Sequence, residues 1–445
     1  MDEERSRSCK ILILSHTPPY PCSKTASYHA LRSWGLAKGL KEEYPDFSIT
    51  IAYEEYDPSI SKKSSEGIFL AVWKWTSLQT LITQHHTIIT HYALDPRILE
   101  YIPLGTQLIL DCAVPIFLEE SSNIDREYYH FQSLKENYNA FIKRADLFLC
   151  AHETQRVYLL GILSALGRVN PLTYKQKLIE IVPYGLFRNE PTSTQRPISN
   201  RVKGNFFKLL HFGGLYPWME STFNLLISAV IEMNKKIPTK LVMVGSENPI
   251  FHLHQGQLLK DRLAHDPHAR RYVILHKWIA YHERTDWYLD SDLIVLLNPH
   301  DSLETNFSWR TRLMDYLVAD VAIATNGKDL LGEQLILWNA AARIDEKNLA
   351  YDLTSLLLDR DYQCVLKRNV GAIRERFYWD LLTRPLASRI IQGHRAADLK
   401  KNPKQRILRK IQKRSNLIPI YSTFISFVRH TKQFFSSTLR RRRKH

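Results

Sequence analysis

Short apolar runs recur along this 445-residue chain with helical stretches between them; the alternation stops once and then starts again. Strand followed by helix followed by strand places crossover helices on the faces of a mainly parallel sheet. Cys9–His16, Phe47–Tyr53, Thr87–Tyr92, Gln107–Cys112, Asp146–His152 and Ile179–Tyr184 read as strands. The helices between them run from Thr25 to about Leu40, over roughly Asp125–Arg144 and over Glu153–Leu166. Arg188–Lys203 is then dominated by Asn, Pro, Ser, Thr and Gln and reads as a linker. Beyond it Phe207–Phe212, Lys240–Gly245, Tyr272–Lys277, Leu293–Leu297 and Val321–Thr325 repeat the strand pattern. A chain of this length exceeds one ordinary core. The expectation is an α/β protein with two doubly wound domains, 1–187 and 204–376, facing one another across a cleft.

Chemistry gathers after one of these strands. The stretch from His300 to Leu317 follows Leu293–Leu297, and Leu313, Tyr316 and Leu317 recur at helical spacing from near Ser308 onward. In open α/β sheets such a strand-to-helix passage is where phosphorylated ligands bind, because free backbone N–H groups and the helix dipole favour an anion. Arg310 and Arg312 could neutralise a diphosphate, while Glu304 and Asp315 could accept hydrogen bonds from sugar hydroxyls. A polar capped helix on the surface accounts for the same residues.

The net charge of +16 is concentrated at one end. From Arg395 onward there are 16 Lys and Arg against one acid, Asp398, which leaves 45 basic and 44 acidic residues for the body. In that tail, 396–445, Leu417, Ile420, Phe424, Phe427, Val428, Phe434 and Leu439 lie close to one helical face, with Arg409, Lys410, Lys413, Arg414 and the Arg440–Lys444 run supplying charge. This pattern suits the interface of an anionic bilayer, at roughly 1 kcal/mol per basic residue near the surface. Nucleic acid is the competing partner, without a zinc finger, RNP-like or helix-turn-helix signal to accompany it, and a solvated tail is the third reading. No stretch offers eighteen uninterrupted apolar residues, and the N-terminus does not read as a signal peptide. Five scattered cysteines fit a reducing compartment, so the expected location is the cytoplasm, peripheral on the inner face of the membrane.

Several stretches resemble bacterial glycosyltransferases of the retaining family four: Phe212-Gly-Gly-Leu-Tyr-Pro-Trp218, Leu241-Val-Met-Val-Gly-Ser246, Trp278-Ile-Ala-Tyr-His-Glu-Arg284 and Glu304–Leu317. In the first half Asp146-Leu-Phe-Leu-Cys-Ala151, Gln155-Arg156, Leu160–Pro171 and Ile181-Val-Pro-Tyr-Gly-Leu186 are similar to the same subfamily. The resemblance spans about residues 9 to 392 and leaves the tail outside. It implies two Rossmann-like domains in the GT-B arrangement, with a C-terminal helix, 377–395, packing back across them. It implies a nucleotide-diphosphate-sugar donor on the second domain, an acceptor hydroxyl of a glycan or lipid-linked molecule on the first, retention of configuration and no metal or other cofactor. By position, Gly213 and Gly214 let the backbone approach the diphosphate, Trp278 and Ile279 form the turn that receives the base, Glu304 contacts the transferred sugar and Asp315 holds the ribose. Ser308, Arg310 and Arg312 occupy subfamily positions; a diphosphate role for the two arginines follows from their charge. On the acceptor side His91 matches a family histidine near the reaction centre, Asp111 a subfamily acid, and His16 lies in the first loop.

Two departures from the family stand out. Pro217, Trp218, Met219 and Glu220 follow the glycines where relatives place an Arg and a Lys, and Val318-Ala-Asp-Val-Ala322 replaces a Gly- and Pro-containing turn. Asp290-Ser-Asp292, His252-x-His254 and His85-His86 imitate metal sites without convincing spacing. No Gly-x-Gly-x-x-Gly, Walker loop or His-Glu-x-x-His is present, which weakens dehydrogenase, NTPase and metalloprotease readings. The expectation is an enzyme of cell-surface glycan biosynthesis. The alternative is a GT-B scaffold of a glycan-assembly complex that kept the fold and lost turnover.

Overall fold

β1 (Lys10–Ser15) is buried along all but its first residue, as a strand covered on both faces must be. The computed structural model describes residues 9–20, 27–54, 66–121, 128–188, 202–216, 219–246, 255–299 and 302–400. Two parallel sheets account for the strands. The first takes the order β3-β2-β1-β4-β5-β6-β7, with β2 Ser48–Glu54, β3 Phe69–Trp73, β4 Thr87–His91, β5 Gln107–Asp111, β6 Leu147–Cys150 and β7 Ile179–Ile181. The second takes the order β10-β9-β8-β11-β12-β13, with β8 Phe207–Phe212, β9 Thr239–Val244, β10 Val273–His276, β11 Leu293–Leu296, β12 Ile323–Thr325 and β13 Ala342–Arg343. Each half therefore starts in the middle of its sheet, works outward to one edge, and returns to build the other side. The reversal lies between β1 and β4 in one half and between β8 and β11 in the other, and in open α/β sheets ligands bind beyond the carboxyl ends of strands flanking such a reversal.

The predicted strands all form, most of them shorter by one to three residues. β3 and the following Trp75–Thr83 helix were not anticipated. β3 is an edge strand with Phe69 55% exposed, although Ile68–Trp73 is an unbroken apolar run like those of its neighbours. Residues 189–201, most of the predicted linker, lie outside the described residues, as do 401–445, most of the predicted tail.

After the second sheet the chain crosses back to the first half. Leu186, just beyond β7, donates its N–H to the Phe377 carbonyl at 2.7 Å, and Trp379 donates to the Leu186 carbonyl at 3.1 Å. The Trp379–Ile391 helix then lies on the Tyr28–Glu43 helix. The two approach so closely because Gly35 and Gly39 have no side chains. A Cβ at Gly35 would stand 2.1 Å from the Trp379 indole, and one at Gly39 would stand 2.5 Å from the Trp379 carbonyl oxygen. Trp379 is itself 1% exposed and packs on Tyr184 and Phe187. The packed body continues through the Ala397–Lys400 helix: Ala396 is fully buried, Arg395 Nε reaches Asp146 at 2.8 Å, and Asp398 pairs with Arg168 at 2.7 Å. The sequence boundary at 396 thus falls inside packed structure, and residues 396–400 belong to the body.

Candidate active site at the mouths of the two sheets

Gly213 ends β8 with φ +119°, a conformation in which L side chains are strained. The Arg312 guanidinium lies over it, 3.1 Å from where a Cβ would be. Arg312 donates to the Gly214 carbonyl at 3.3 Å and approaches His211 Nε2 at 3.3 Å. Met219 places its sulfur 3.8 Å from the same guanidinium. Burial first, and the Arg312 charge second, push the His211 imidazole down to about 3, so it stays neutral beside the arginine. The neighbouring turn is equally tight, since a Cβ on Gly245 (φ +105°) would stand 2.7 Å from the Gly213 carbonyl oxygen. Tyr316 donates its hydroxyl to the Phe212 carbonyl at 3.0 Å and fixes the end of β8; burial raises its hydroxyl to about 12.

Glu304 is 7% exposed and is held by two side chains. Arg310 grips its carboxylate with a fork, NH2 to Oε2 at 2.7 Å and NH1 to Oε1 at 3.1 Å, and the Ser308 hydroxyl donates to Oε1. Arg310 in turn is steered by Asn298 at the end of the β11 run, its Nε 3.0 Å from Oδ1. Asn298 donates to Asp329 at 2.7 Å, and Asp329 caps the Leu330–Leu337 helix. Burial raises the carboxyl group of Asp329. Sequence reasoning singled out Glu304, Ser308 and Arg310 but missed Asn298 and Asp329. The Asn298-Pro299 strand end was the signal for the first, and nothing local marked the second.

The helix expected near Ser308 is replaced by a 3-10 turn, Thr305–Phe307, and a six-residue helix, Thr311–Tyr316, with Arg310 at its N-cap. Such a short helix contributes little dipole, so the anion-binding case rests on the guanidiniums and the glycine turn. Asp315 on that helix accepts a hydrogen bond from the Tyr281 hydroxyl at 2.6 Å and has Arg284 Nε at 3.7 Å, with Arg284 stacked over the Tyr281 ring at 3.6 Å. Trp278 and Ile279 lie in the loop leading to Tyr281 and are partly buried, Ile279 against the core. No residue of the Val318–Ala322 departure has positive φ; among the described residues only Glu66 and Asn339 are non-glycine positions that do.

The first half supplies the facing wall. His91, at the end of β4, is buried and stacks on His29 with ring centroids 4.1 Å apart. Its Nε2 faces the His16 N–H at 3.2 Å and its Nδ1 the Ala93 N–H at 3.2 Å. Burial, then His29, then His16 hold it well below the ordinary histidine range. His16 is partly exposed, with Nδ1 3.7 Å from Glu54. Asp111 is committed to Arg32 through two bonds, 2.9 and 3.1 Å, with both side chains buried, and Arg32 also donates to the Pro183 carbonyl at 2.8 Å. Among the described residues, ring contacts that join the halves include Tyr20 on Tyr281 with centroids 5.1 Å apart, Tyr158 on Phe307 at 5.2 Å, and His152 on Trp309 at 5.8 Å.

The metal-like sequence patterns have other duties. Asp290 pairs with Lys208 at 2.8 Å, Asp292 accepts from the Lys208 N–H at 2.8 Å, and His85 bonds the Leu81 carbonyl at 2.8 Å. His252 and His254 lie outside the described residues. Among the described residues no group of three potential metal ligands comes together.

No family model matches the chain, and no curated protein matches its sequence. Solved structures do share its architecture. Sucrose-phosphate synthase from Thermosynechococcus elongatus superposes with a TM-score of 0.61 at 12% identity, over 86% of this chain and 99% of that one. Anabaena HepE in complex with UDP and glucose gives 0.61 at 12% identity, over 86% and 100%. WaaG, a glycosyltransferase involved in lipopolysaccharide biosynthesis, gives 0.56 at 14% identity, over 87% and 100%. At these identities the likeness is one of fold: two Rossmann-like halves in the GT-B arrangement.

Proposed function

We propose that this chain is a glycosyltransferase that moves a sugar from a nucleotide-diphosphate donor to an acceptor hydroxyl with retention of configuration, in the synthesis of a bacterial cell-surface glycan. The observation that carries the reading is the Arg312 guanidinium held over the Gly213–Gly214 turn at the β8/β11 switch point, on the same segment as the Glu304–Arg310 and Asp315–Tyr281 pairs. Arg312 would meet the diphosphate, which the side-chain-free Gly213–Gly214 turn lets approach the backbone, where negative charge develops as the bond to the sugar breaks. Glu304, oriented by Arg310 and Ser308, would accept from sugar hydroxyls, and Asp315 would take the ribose. The departing phosphate itself would deprotonate the acceptor, so no protein base is required. His91 and Asp111, both committed within the first half, would shape the acceptor wall, leaving His16 the more accessible of the three.

Several solved structures of this fold hold UDP, which makes it the first probe. In a thermal-shift panel of UDP, GDP, TDP, ADP and CMP, one nucleotide stabilises the protein, and Arg312→Ala abolishes that shift, because a ligand of the native state must stabilise it. No shift with any nucleotide near millimolar concentration would sink the donor site.

A second reading, a scaffold of a glycan-assembly complex that has lost turnover, is favoured by one observation. Both arginines are engaged within the protein, and Pro217, Trp218, Met219 and Glu220 follow the glycines where the family resemblance implies an Arg and a Lys. Turnover with a matched donor, abolished by Glu304→Ala, excludes it. We further propose that the basic tail beyond Lys400 holds the protein on the anionic inner face of the cytoplasmic membrane.

A further inference from the structure

Gln155 lies in the first half, yet it touches the segment that carries Glu304. It is 2% exposed, and its amide group is used in full. Oε1 accepts the Ala151 N–H at 2.7 Å, while Nε2 donates to the Ala113 carbonyl at 3.0 Å and to the Phe307 carbonyl at 2.8 Å. Phe307 closes the 3-10 turn that begins just after Glu304, and Ser308, the next residue, donates to the Glu304 carboxylate. His152, Gln155 and Tyr158 recur every third residue and so share one side of the Glu153–Ala165 helix. His152 stacks on Trp309 and Tyr158 packs on Phe307 with its ring tilted, at either side of the Gln155 bond. One helix face of the acceptor half therefore grips the backbone of the loop that orients Glu304 and Arg310.

We infer that Gln155 is a positioning residue through which the meeting of the two halves sets the Glu304–Arg310 constellation, so that the site is assembled only in the closed molecule. The functional side of this inference rests on the donor-site reading above. A buried amide with both hydrogens placed on carbonyls of two separate segments cannot be replaced by a carboxylate, which would set oxygen against oxygen, or by an apolar chain, which would leave both carbonyls bare.

The test uses the full chain with Gln155→Glu and Gln155→Met. Hydrogen exchange is followed in the 303–317 peptide and, as a control for global stability, in the 207–216 peptide. Turnover is measured with the donor found by the nucleotide panel. The expected result is at least tenfold faster exchange in 303–317 with 207–216 unchanged, and a kcat lowered about tenfold with the donor KM within threefold. Between pH 8 and pH 6 Gln155→Glu recovers part of its kcat, because a protonated carboxyl regains one donor, whereas Gln155→Met does not. Unchanged exchange in 303–317 overturns the inference. So does faster exchange with unchanged kcat, and so does equal loss of protection in both peptides, which would make Gln155 an ordinary structural residue. If the wild type turned over no donor, the proposed function would fall, while the exchange measurement would still decide whether Gln155 holds the loop.

Discussion

Asp111 stands at the end of a central strand, where an acceptor-contacting acid would be expected, but its surroundings assign it to the fold. Arg32 and Asp111 are 2% and 8% exposed and share two bonds in a fork. Arg32 also reaches the Pro183 carbonyl and sits 5.5 Å from the centre of the Trp379 ring, so the pair ties together the Tyr28–Glu43 helix, β5, the exit of β7 and the returning C-terminal helix. Asp111→Ala would leave a buried guanidinium with one carbonyl acceptor. Breaking a buried pair from one side costs about 3–5 kcal/mol. That is a large part of the roughly 5–15 kcal/mol that holds a domain. Asp111→Asn keeps an acceptor oxygen and costs less, on the order of 1.5–3 kcal/mol for a weakened charged hydrogen bond. Replacing both partners, Arg32→Met with Asp111→Leu, recovers most of the loss because no unpaired charge remains. Urea unfolding of the three variants reads this order directly. Nucleotide binding, proposed above for the second half, is measured alongside and is expected to stay at its wild-type level. If Asp111→Ala unfolded within about 1 kcal/mol of wild type while losing turnover, the structural assignment would be refuted and Asp111 would act on the substrate.

Gly39→Ala adds about 1 kcal/mol of helix propensity but drives a Cβ to 2.5 Å from a backbone oxygen, so it destabilises the chain by a net 1–2 kcal/mol or more, whereas Gly161→Ala, with nothing within 4 Å, stabilises it by about 0.5–1 kcal/mol. Paired thermal melts check this, and equal shifts in the same direction would contradict the described helix contact. For pH, the unfolded chain protonates its histidines near pH 6.5, whereas the folded chain withholds protons until about 4 at His29 and about 3 at His211, and His91 is lowered as well. Stability present above pH 6.5 is therefore lost as pH falls toward 4, by about 2 kcal/mol at pH 5 for the fully buried His211 alone. Urea midpoints that do not fall between pH 7.5 and pH 5 would contradict it. Truncation after Lys400 abolishes co-sedimentation with anionic vesicles and leaves nucleotide binding intact; unchanged sedimentation would refute the tail proposal.

Strand positions, the parallel class and the restart after Arg188 were legible because a strand buried on both faces needs an unbroken apolar run, and that need is local. The acids and arginines of 304–315 stood out for a similar reason, since they belong to one short segment beside a strand end, whereas the glycine turn was singled out only through the family resemblance. What each side chain does there was decided only by tertiary structure. Arg310 and Arg312 are near neighbours in sequence, yet one is spent on Glu304 and the other lies on a turn about a hundred residues upstream. His91 and Asp111 end strands in the way functional residues do, but stacking and a buried ion pair absorb them. Gln155 and Tyr281 fell inside stretches that carry the family resemblance but had no role assigned, and Asp329 gave no local signal, because their roles consist of hydrogen bonds to segments distant in the chain. Sequence set which elements form through short-range periodicity; which groups are paired, and which remain for a ligand, depends on long-range contacts that no local pattern encodes.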